Sequence, residues 1–194
     1  MSSKKTRERA RFLLVNLLKS FFYLALLVGL FMVFRHFSTE EQRYAWFGSV
    51  YDNPALVLGI FVGSEILFGI IPPEVFMLWS LETGSIGPYF ISIAVLALIS
   101  YGAGFLNFRL GDWIRDKDWV SPARFPQLKK YVHLFEKYGG YLVVVASITP
   151  LPFSAISLLA GVGGLNTRTY LLLSLFRILR YFAYAFILTG IDGL

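Results

Sequence analysis

Long apolar runs separated by short polar stretches dominate the hydrophobic pattern of this chain. The first run covers Phe12–Phe34 after a basic N-terminal segment, and two further uninterrupted runs cover about residues 88–109 and 168–190. A helix needs about 20 apolar residues to cross the hydrocarbon core of a bilayer, and each run is long enough. The pattern therefore predicts an all-α polytopic membrane protein with three transmembrane helices.

Two other apolar segments contain proline near their centres. These are Pro72 and Pro73 in the first segment, and Pro150 and Pro152 in the second. An internal proline removes a backbone hydrogen bond that lipid cannot replace, so a broken helix persists only against protein or a wet cavity. We therefore predict re-entrant helical hairpins over about residues 55–82 and 140–162, with these prolines at the hairpin tips.

Each broken segment is followed by a glycine-rich corner and one uninterrupted span, which indicates a two-unit repeat. Gly161 lies in the second corner and is assigned a structural role there. The loop between the repeats, residues 109–137, carries seven Lys and Arg residues, so the positive-inside bias places it in the cytoplasm. With a cytoplasmic N-terminus, that placement requires the first hairpin to re-enter. The two repeats are then inverted, an arrangement typical of transporters with a site between the repeats.

The polar loop also predicts an amphipathic helix on the membrane surface. Its apolar positions recur at helical spacing opposite a basic face, and glycines end the pattern. The apolar positions are Phe125, Leu128, Val132 and Phe135, and the basic ones include Lys129, Lys130 and Lys137. Residues 1–54 are then a basic segment, a first span and an external linker, and residues 55–194 form the membrane domain.

Composition agrees with a membrane protein. Of the 194 residues, 56% are hydrophobic and only 15% are charged, which is too apolar for a soluble domain of this size. The net charge of +6 is concentrated at the membrane edges, so it does not indicate nucleic-acid binding. The chain has no cysteine and only two histidines, and no catalytic or metal-ligand constellation is apparent. We therefore expect no cofactor, no metal and no enzymatic activity.

Two acids lie within the first broken segment. Glu65 and Glu74 flank its prolines, and an ionised Glu at bilayer depth costs about 2.5 kcal/mol or more. A hairpin brings both toward one polar cleft, where acids held in partial desolvation suit ion or proton coupling. The alternative is that they cap helix ends or form structural ion pairs.

Two arginines lie near the middle of the last span. Arg177 and Arg180 are three residues apart, and Tyr181 and Tyr184 share their face of the helix. Two cations at this spacing suit a phosphate headgroup, with Arg168 at the mouth of the span as a further ligand. The alternative is that the arginines neutralise the two acids and hold the halves of the molecule together.

These residues together resemble the DedA family, also called the VTT or SNARE-associated family of membrane proteins. The resemblance is carried by Glu65, Pro72 and Glu74 in the first hairpin, by Phe135, Tyr138 and Gly139 before the second, and by Pro150, Ala160 and Gly161 within it. It covers about residues 55–190. It implies two hairpins that face each other and a role in moving lipids across the bilayer.

The chain departs from the family pattern in the second hairpin. The resemblance implies two arginines there in members that handle polyprenyl phosphate, and Ser147 and Phe153 occupy those positions here. Either arginines of the last span replace them, or the substrate is a zwitterionic or different lipid.

The expected function is a lipid transporter or flippase of the cytoplasmic membrane. It would move a phospholipid or a polyprenyl-phosphate-type lipid, with proton coupling through Glu65 and Glu74. The alternative is a non-transporting membrane scaffold that binds a partner through the basic loop. The partners are then membrane lipids rather than nucleic acid, and a homo-oligomer is left open.

Overall fold

The computed structural model describes residues 2–37, 39, 41–42, 50, 52–67, 69–81, 86–115, 135, 138–149 and 151–192. Every regular element in these ranges is an α-helix. The helices are α1 (Ser2–Phe37), α2 (Pro54–Ile66), α3 (Pro73–Leu81), α4 (Ile86–Arg115), α5 (Gly140–Ile148), α6 (Phe153–Val162) and α7 (Thr167–Asp192). Apart from Phe135, the predicted amphipathic helix lies outside the described residues, and so does most of the external linker.

Three of these helices, α1, α4 and α7, are long and apolar enough to cross a membrane. The apolar stretches are Ala10–Leu30, Ile86–Arg115 and Thr167–Gly190, so the prediction of three such helices is confirmed. Helix α4 is longer at both ends than predicted. Its first turn includes Pro88, which is tolerated there because the first backbone N–H groups of a helix have no intrahelical partner.

The assignment of residues 109–115 to a loop is wrong, since α4 continues through them. Asp112 lies 3.3 Å from Arg109 and 3.1 Å from Arg115, at helical spacing on either side. Opposite charges at this spacing support a helix, and the arginine at the end of α4 also complements its dipole.

Helices α4 and α7 form an antiparallel central pair. The rings of Phe90 and Phe186 lie 5.1 Å apart at one end of the pair. The rings of Phe108 and Tyr170 stack at 4.2 Å toward the other end. The start of α4 therefore lies beside the end of α7, and the remaining helices pack around this pair.

The first broken segment consists of α2 and α3. At 1.5 Å per residue they are only about 20 and 14 Å long, too short to cross a bilayer individually. Ser64 connects the two sides of the break. Its hydroxyl accepts a hydrogen bond from the Ile71 N–H at 2.8 Å and donates one to the Ile71 carbonyl at 3.2 Å. Pro73 is the first residue of α3, a position where its missing N–H costs no intrahelical hydrogen bond.

The second broken segment consists of α5 and α6. Gly139 precedes α5 with φ of +55°, a left-handed conformation that favours glycine. Helix α5 ends at Ile148, and Pro152 immediately precedes α6. The break predicted from the sequence is thus present, although Pro150 itself lies outside the described residues.

Two buried apolar cores lie at opposite ends of the central pair. The first joins α2 and α3 to the beginning of α4 and the end of α7, with Phe61, Met77, Ile93 and Leu188 among its members. The second joins α5 and α6 to the other end of the pair. The broken segments thus pack against opposite ends of α4 and α7, and their breaks meet near the middle. Helix α1 contributes to both cores.

Glycines let α4 and α6 approach closely. A Cβ on Gly111 would lie 2.0 Å from the Leu158 carbonyl oxygen, and one on Gly161 would lie 2.1 Å from that of Phe108. The sequence placed Gly161 in a corner after the hairpin, but it lies within α6 and contacts the backbone of α4. A Cβ on Gly102, also in α4, would have no such neighbour within 4 Å.

Candidate functional site

The inner face of α7 carries two buried cations where the breaks meet. Arg177 and Arg180 are only 5% and 8% exposed. Their spacing of three residues places them about one turn apart on the same face. A buried guanidinium needs a carboxylate or several acceptors to offset its lost hydration. Both side chains find such partners on the broken segments.

Glu65, in the last turn of α2, forms a closed triangle with Ser100 and Arg177. The Nη2 of Arg177 donates to both carboxylate oxygens, at 3.0 and 2.9 Å, and its Nε donates to Ser100 Oγ at 2.5 Å. The Ser100 hydroxyl in turn donates to Glu65 Oε2 at 2.6 Å. The triangle joins α2, α4 and α7, and Glu65 is only 1% exposed.

Arg180 joins the two broken segments. Its Nη2 donates to Glu74 Oε1 in the first turn of α3, and its Nη1 donates to the carbonyl oxygen of Thr149 at 3.0 Å. Thr149 directly follows the last turn of α5. One guanidinium therefore bridges the beginning of a helix in one half and the end of a helix in the other.

Helix dipoles favour this arrangement. Helix α3 begins at the centre of the molecule, and a carboxylate in its first turn interacts favourably with the unpaired N–H groups there. Helix α5 ends at the centre, where a cation satisfies unpaired carbonyl groups. Glu74 and Arg180 each have the sign that the neighbouring helix end prefers.

Aromatic rings cover both guanidinium groups. The Arg177 guanidinium carbon lies 4.5 Å from the Phe153 ring centroid and 5.9 Å from that of Tyr181. The Arg180 guanidinium carbon lies 4.9 Å from the Tyr184 ring centroid. These contacts are within the range of cation–π attraction, which strengthens when water is excluded.

The two breaks also touch directly. Ser154, in the first turn of α6, donates its hydroxyl to the backbone carbonyl of Glu65 at 2.5 Å. Asn107 of α4 donates to the neighbouring carbonyl of Ile66 at 3.4 Å. Both acceptors are end-of-helix carbonyls that have no intrahelical donor. Side chains of α4 and α6 therefore complete the end of α2.

Comparison with known protein families identifies the domain. The model of the VTT domain matches residues 71–190, which is more than half of the chain. The chain belongs to the VTT domain family, the DedA or SNARE-associated family of membrane proteins. No curated protein and no solved structure matches the chain significantly.

The match to the VTT domain begins at residue 71, whereas the resemblance seen in the sequence began near residue 55. Glu74, Arg177 and Arg180 lie inside the matched range, whereas Glu65 on α2 precedes it. In the structure, however, α2 packs against α4 and supplies one of the two acids of the central cluster. The first broken segment is therefore a single structural unit across the start of the match.

The structure brings together most of the residues singled out in the sequence. Both acids, both arginines, Tyr181 and Tyr184 meet at the centre of this VTT protein. The sequence left open whether the arginines bind a headgroup or neutralise the acids, and here they neutralise the acids. The carboxylates are buried, so they do not face the open polar cleft that was expected. Pairing offsets much of the cost that an isolated buried charge would carry.

Arg168 is not part of the cluster. It lies in the first turn of α7, exposed, with its backbone N–H bonded to the side chain of Asn166 at 2.9 Å. Nine residues of helix separate it from Arg177, a rise of about 14 Å. Its side chain therefore lies at the end of the span, as the sequence suggested, and remote from the central cations.

Sequence reasoning missed Ser100, Thr149 and Ser154. All three are buried and make hydrogen bonds between the two halves or within the ion-pair cluster. Their signal in the sequence is weak: one of two serines in an apolar span, and two hydroxyl residues beside the second pair of prolines. Serine and threonine in a membrane helix usually bond to their own backbone, so nothing in the sequence distinguishes these three residues.

Proposed function

We propose that this VTT protein is a lipid transporter that passes a phosphate-containing headgroup between its two broken segments. The observation that carries the proposal is Arg180, a buried cation that contacts the breaks of both halves at once. Guanidinium groups suit phosphate because their donors match its oxygens. The acyl chains would remain in lipid while the headgroup crosses.

The arrangement of the helices supports transport. Transporters with broken helices commonly bind substrate near the midplane, between two repeats. Here the breaks meet near the middle of the α4–α7 pair. We propose that each broken segment re-enters the membrane from a different side, with the N-terminus and the 109–137 loop in the cytoplasm. The membrane in question is the cell's inner membrane.

Arg177 supports a cation-dependent mechanism despite the missing arginines of the second hairpin. Phe153 occupies one of those positions, and the Arg177 guanidinium lies 4.5 Å from its ring. Arg177 of the last span thus places a cation beside the position where the family pattern has an arginine in the second hairpin. This favours a negatively charged or phosphate-bearing lipid over one recognised only by its acyl chains.

In the proposed cycle, the ion pairs hold the two halves together in the absence of substrate. A headgroup exchanges with a carboxylate on an arginine, which loosens the contact between the breaks. Glu65 and Glu74 then re-form their pairs once the headgroup has left. Neither step makes or breaks a covalent bond, so the site acts by binding and by conformational change.

Headgroup flipping in reconstituted vesicles tests this function. Full-length protein is placed in vesicles with a fluorescent short-chain phospholipid, and a membrane-impermeant reductant reports which leaflet holds the probe. We expect the wild type to accelerate exchange, and the double variant Glu65→Gln, Glu74→Gln to lose most of it. Ser147→Ala is the matched control, because that hydroxyl bonds only within its own helix. Flipping by the double variant at the wild-type rate would refute the role of the acids.

A further inference from the structure

The two buried ion pairs are built differently. Arg177 reaches both oxygens of Glu65, and Ser100 closes the triangle with two more hydrogen bonds. Arg180 reaches only one oxygen of Glu74, and its other bond goes to the backbone of Thr149. Replacing Glu65 requires several charge-assisted hydrogen bonds to break together. Replacing Glu74 requires one.

The position of the Glu74 pair also favours exchange. Arg180 lies between the first turn of α3 and the end of α5, so both groups that accept its hydrogen bonds belong to the breaks. The Glu65 pair instead joins α2 to the two long helices α4 and α7. A movement of the second broken segment away from the first therefore separates Thr149 from Glu74 on Arg180, whereas Glu65 and Ser100, on α2 and α4, stay with Arg177.

Charge balance determines what must accompany a bound headgroup. Among the described residues, the buried charged groups are the two acids and the two arginines, so their formal charges cancel. An anionic phosphodiester adds one negative charge to this enclosed cluster. An uncompensated charge at low dielectric is strongly unfavourable, and a carboxylate without a cation relieves it by taking up a proton.

We infer that an anionic phosphodiester headgroup takes the place of Glu74 on Arg180, and that the released Glu74 carboxylate takes up one proton from solution. The inference rests on the proposed transport function and assigns separate roles to the two pairs. Glu65, Ser100 and Arg177 remain joined as an anchor. A zwitterionic headgroup carries its own cation, so its binding leaves the cluster neutral and requires no proton.

Other titratable groups near Glu74 do not provide this proton site. Helix α7 contributes Arg177, Arg180, Tyr181 and Tyr184, and the first core adds Tyr89 from α4. Arginine and tyrosine side chains ordinarily carry their protons at neutral pH, so neither residue type supplies a base there. Glu65 on α2 keeps its cation in the anchor. Helix α3 itself contains no second titratable side chain.

Proton uptake on lipid binding tests the inference. Purified full-length protein in weakly buffered detergent is titrated with short-chain phosphatidylglycerol, which carries a single negative charge, and a pH-sensitive dye counts protons. We expect about one proton per bound lipid near neutral pH, as linkage requires. Short-chain phosphatidylcholine should bind with almost none. Equal uptake with both lipids, or none with either, would overturn the inference.

Substitutions test whether Glu74 is the residue that takes up the proton when lipid binds. Glu74→Gln removes both the competitor for Arg180 and the proton acceptor, so it should bind phosphatidylglycerol about tenfold more tightly, without proton uptake. Ser147→Ala leaves both ion pairs intact, because that hydroxyl donates to Val143 of its own helix, and should keep the wild-type proton count. Uptake that persists in Glu74→Gln excludes Glu74 as the acceptor.

Infrared spectroscopy of the wild type gives a second readout that does not depend on a variant folding. Adding phosphatidylglycerol should produce the absorption band of a protonated carboxyl group, and its absence would count against the inference. Vesicle flipping separates the two proposals. If the wild type flips lipid and binds phosphatidylglycerol without taking up protons, only this inference fails. If it neither binds nor flips lipid, the transport function fails as well.

Discussion

The hydroxyl of Ser154 donates to the backbone carbonyl of Glu65 with 2.5 Å between the two oxygens, although the residues are 89 positions apart in the chain. The bond joins the second broken segment to the first at a carbonyl that ends a helix. The contact between the two halves is therefore made by the backbone of Glu65, the same residue whose carboxylate pairs with Arg177. The stability of the molecule and the integrity of the site are therefore linked at this point.

The Ser154→Ala substitution should destabilise the protein by about 1–3 kcal/mol, because it leaves a buried carbonyl without a donor. The free energy of unfolding, measured by denaturation with SDS in mixed micelles, checks this. Ser147→Ala is a control of the same size and burial, since its hydroxyl donates to Val143 of its own helix at 2.8 Å. Equal losses in the two variants would show that the contact between the segments contributes nothing.

Replacing Arg177 alone should destabilise the protein far more than replacing Arg177 and Glu65 together. Arg177→Gln leaves the Glu65 carboxylate buried without a cation, at a cost of about 3–5 kcal/mol. Adding Glu65→Gln should recover most of this loss, because two neutral amides can bond to each other and to Ser100. A double-mutant cycle on unfolding free energies gives the coupling. Additive losses would contradict the ion pair seen here.

Glycine substitutions in α4 should differ according to which face they occupy. Gly111→Ala places a Cβ 2.0 Å from a backbone oxygen of α6 and should force the helices apart, at a cost of about 1–3 kcal/mol. Gly102→Ala meets no such atom within 4 Å and should be tolerated or slightly stabilising. Thermal unfolding of both variants in detergent tests the difference. Similar melting temperatures would disprove the close approach of α4 and α6.

The membrane topology can be tested by labelling, since the chain has no cysteine. Re-entry of the first broken segment predicts that single cysteines at Asp52 and Gly87 react with an impermeant maleimide from the external face. Cysteines at Arg115 and Asn166 should react only from the cytoplasmic face. All four positions are exposed. Labelling of Asp52 and Gly87 from opposite faces would mean that the segment crosses the membrane.

Hydrophobic patterning alone was sufficient to locate the helices and their breaks. Lipid provides no hydrogen bonds to the backbone, so spanning segments must be continuous and apolar, and prolines inside apolar runs mark interruptions. The same reasoning identified Glu65, Glu74, Arg177 and Arg180 as exceptional, because charge within such runs is costly. Helix ends were less well predicted: α4 continues to Arg115, and Asp112 pairs with arginines on both sides within this extension.

The sequence by itself determined which charged residues would need partners, and only the tertiary structure decided which partners they have. Glu65 and Arg177 are 112 positions apart, and Ser100 reaches them from a third helix. No local periodicity specifies a contact over that distance, because it depends on how α2, α4 and α7 pack. The sequence shows that a charge lies in an apolar segment and is therefore costly. Which opposite charge offsets that cost depends on how the helices pack.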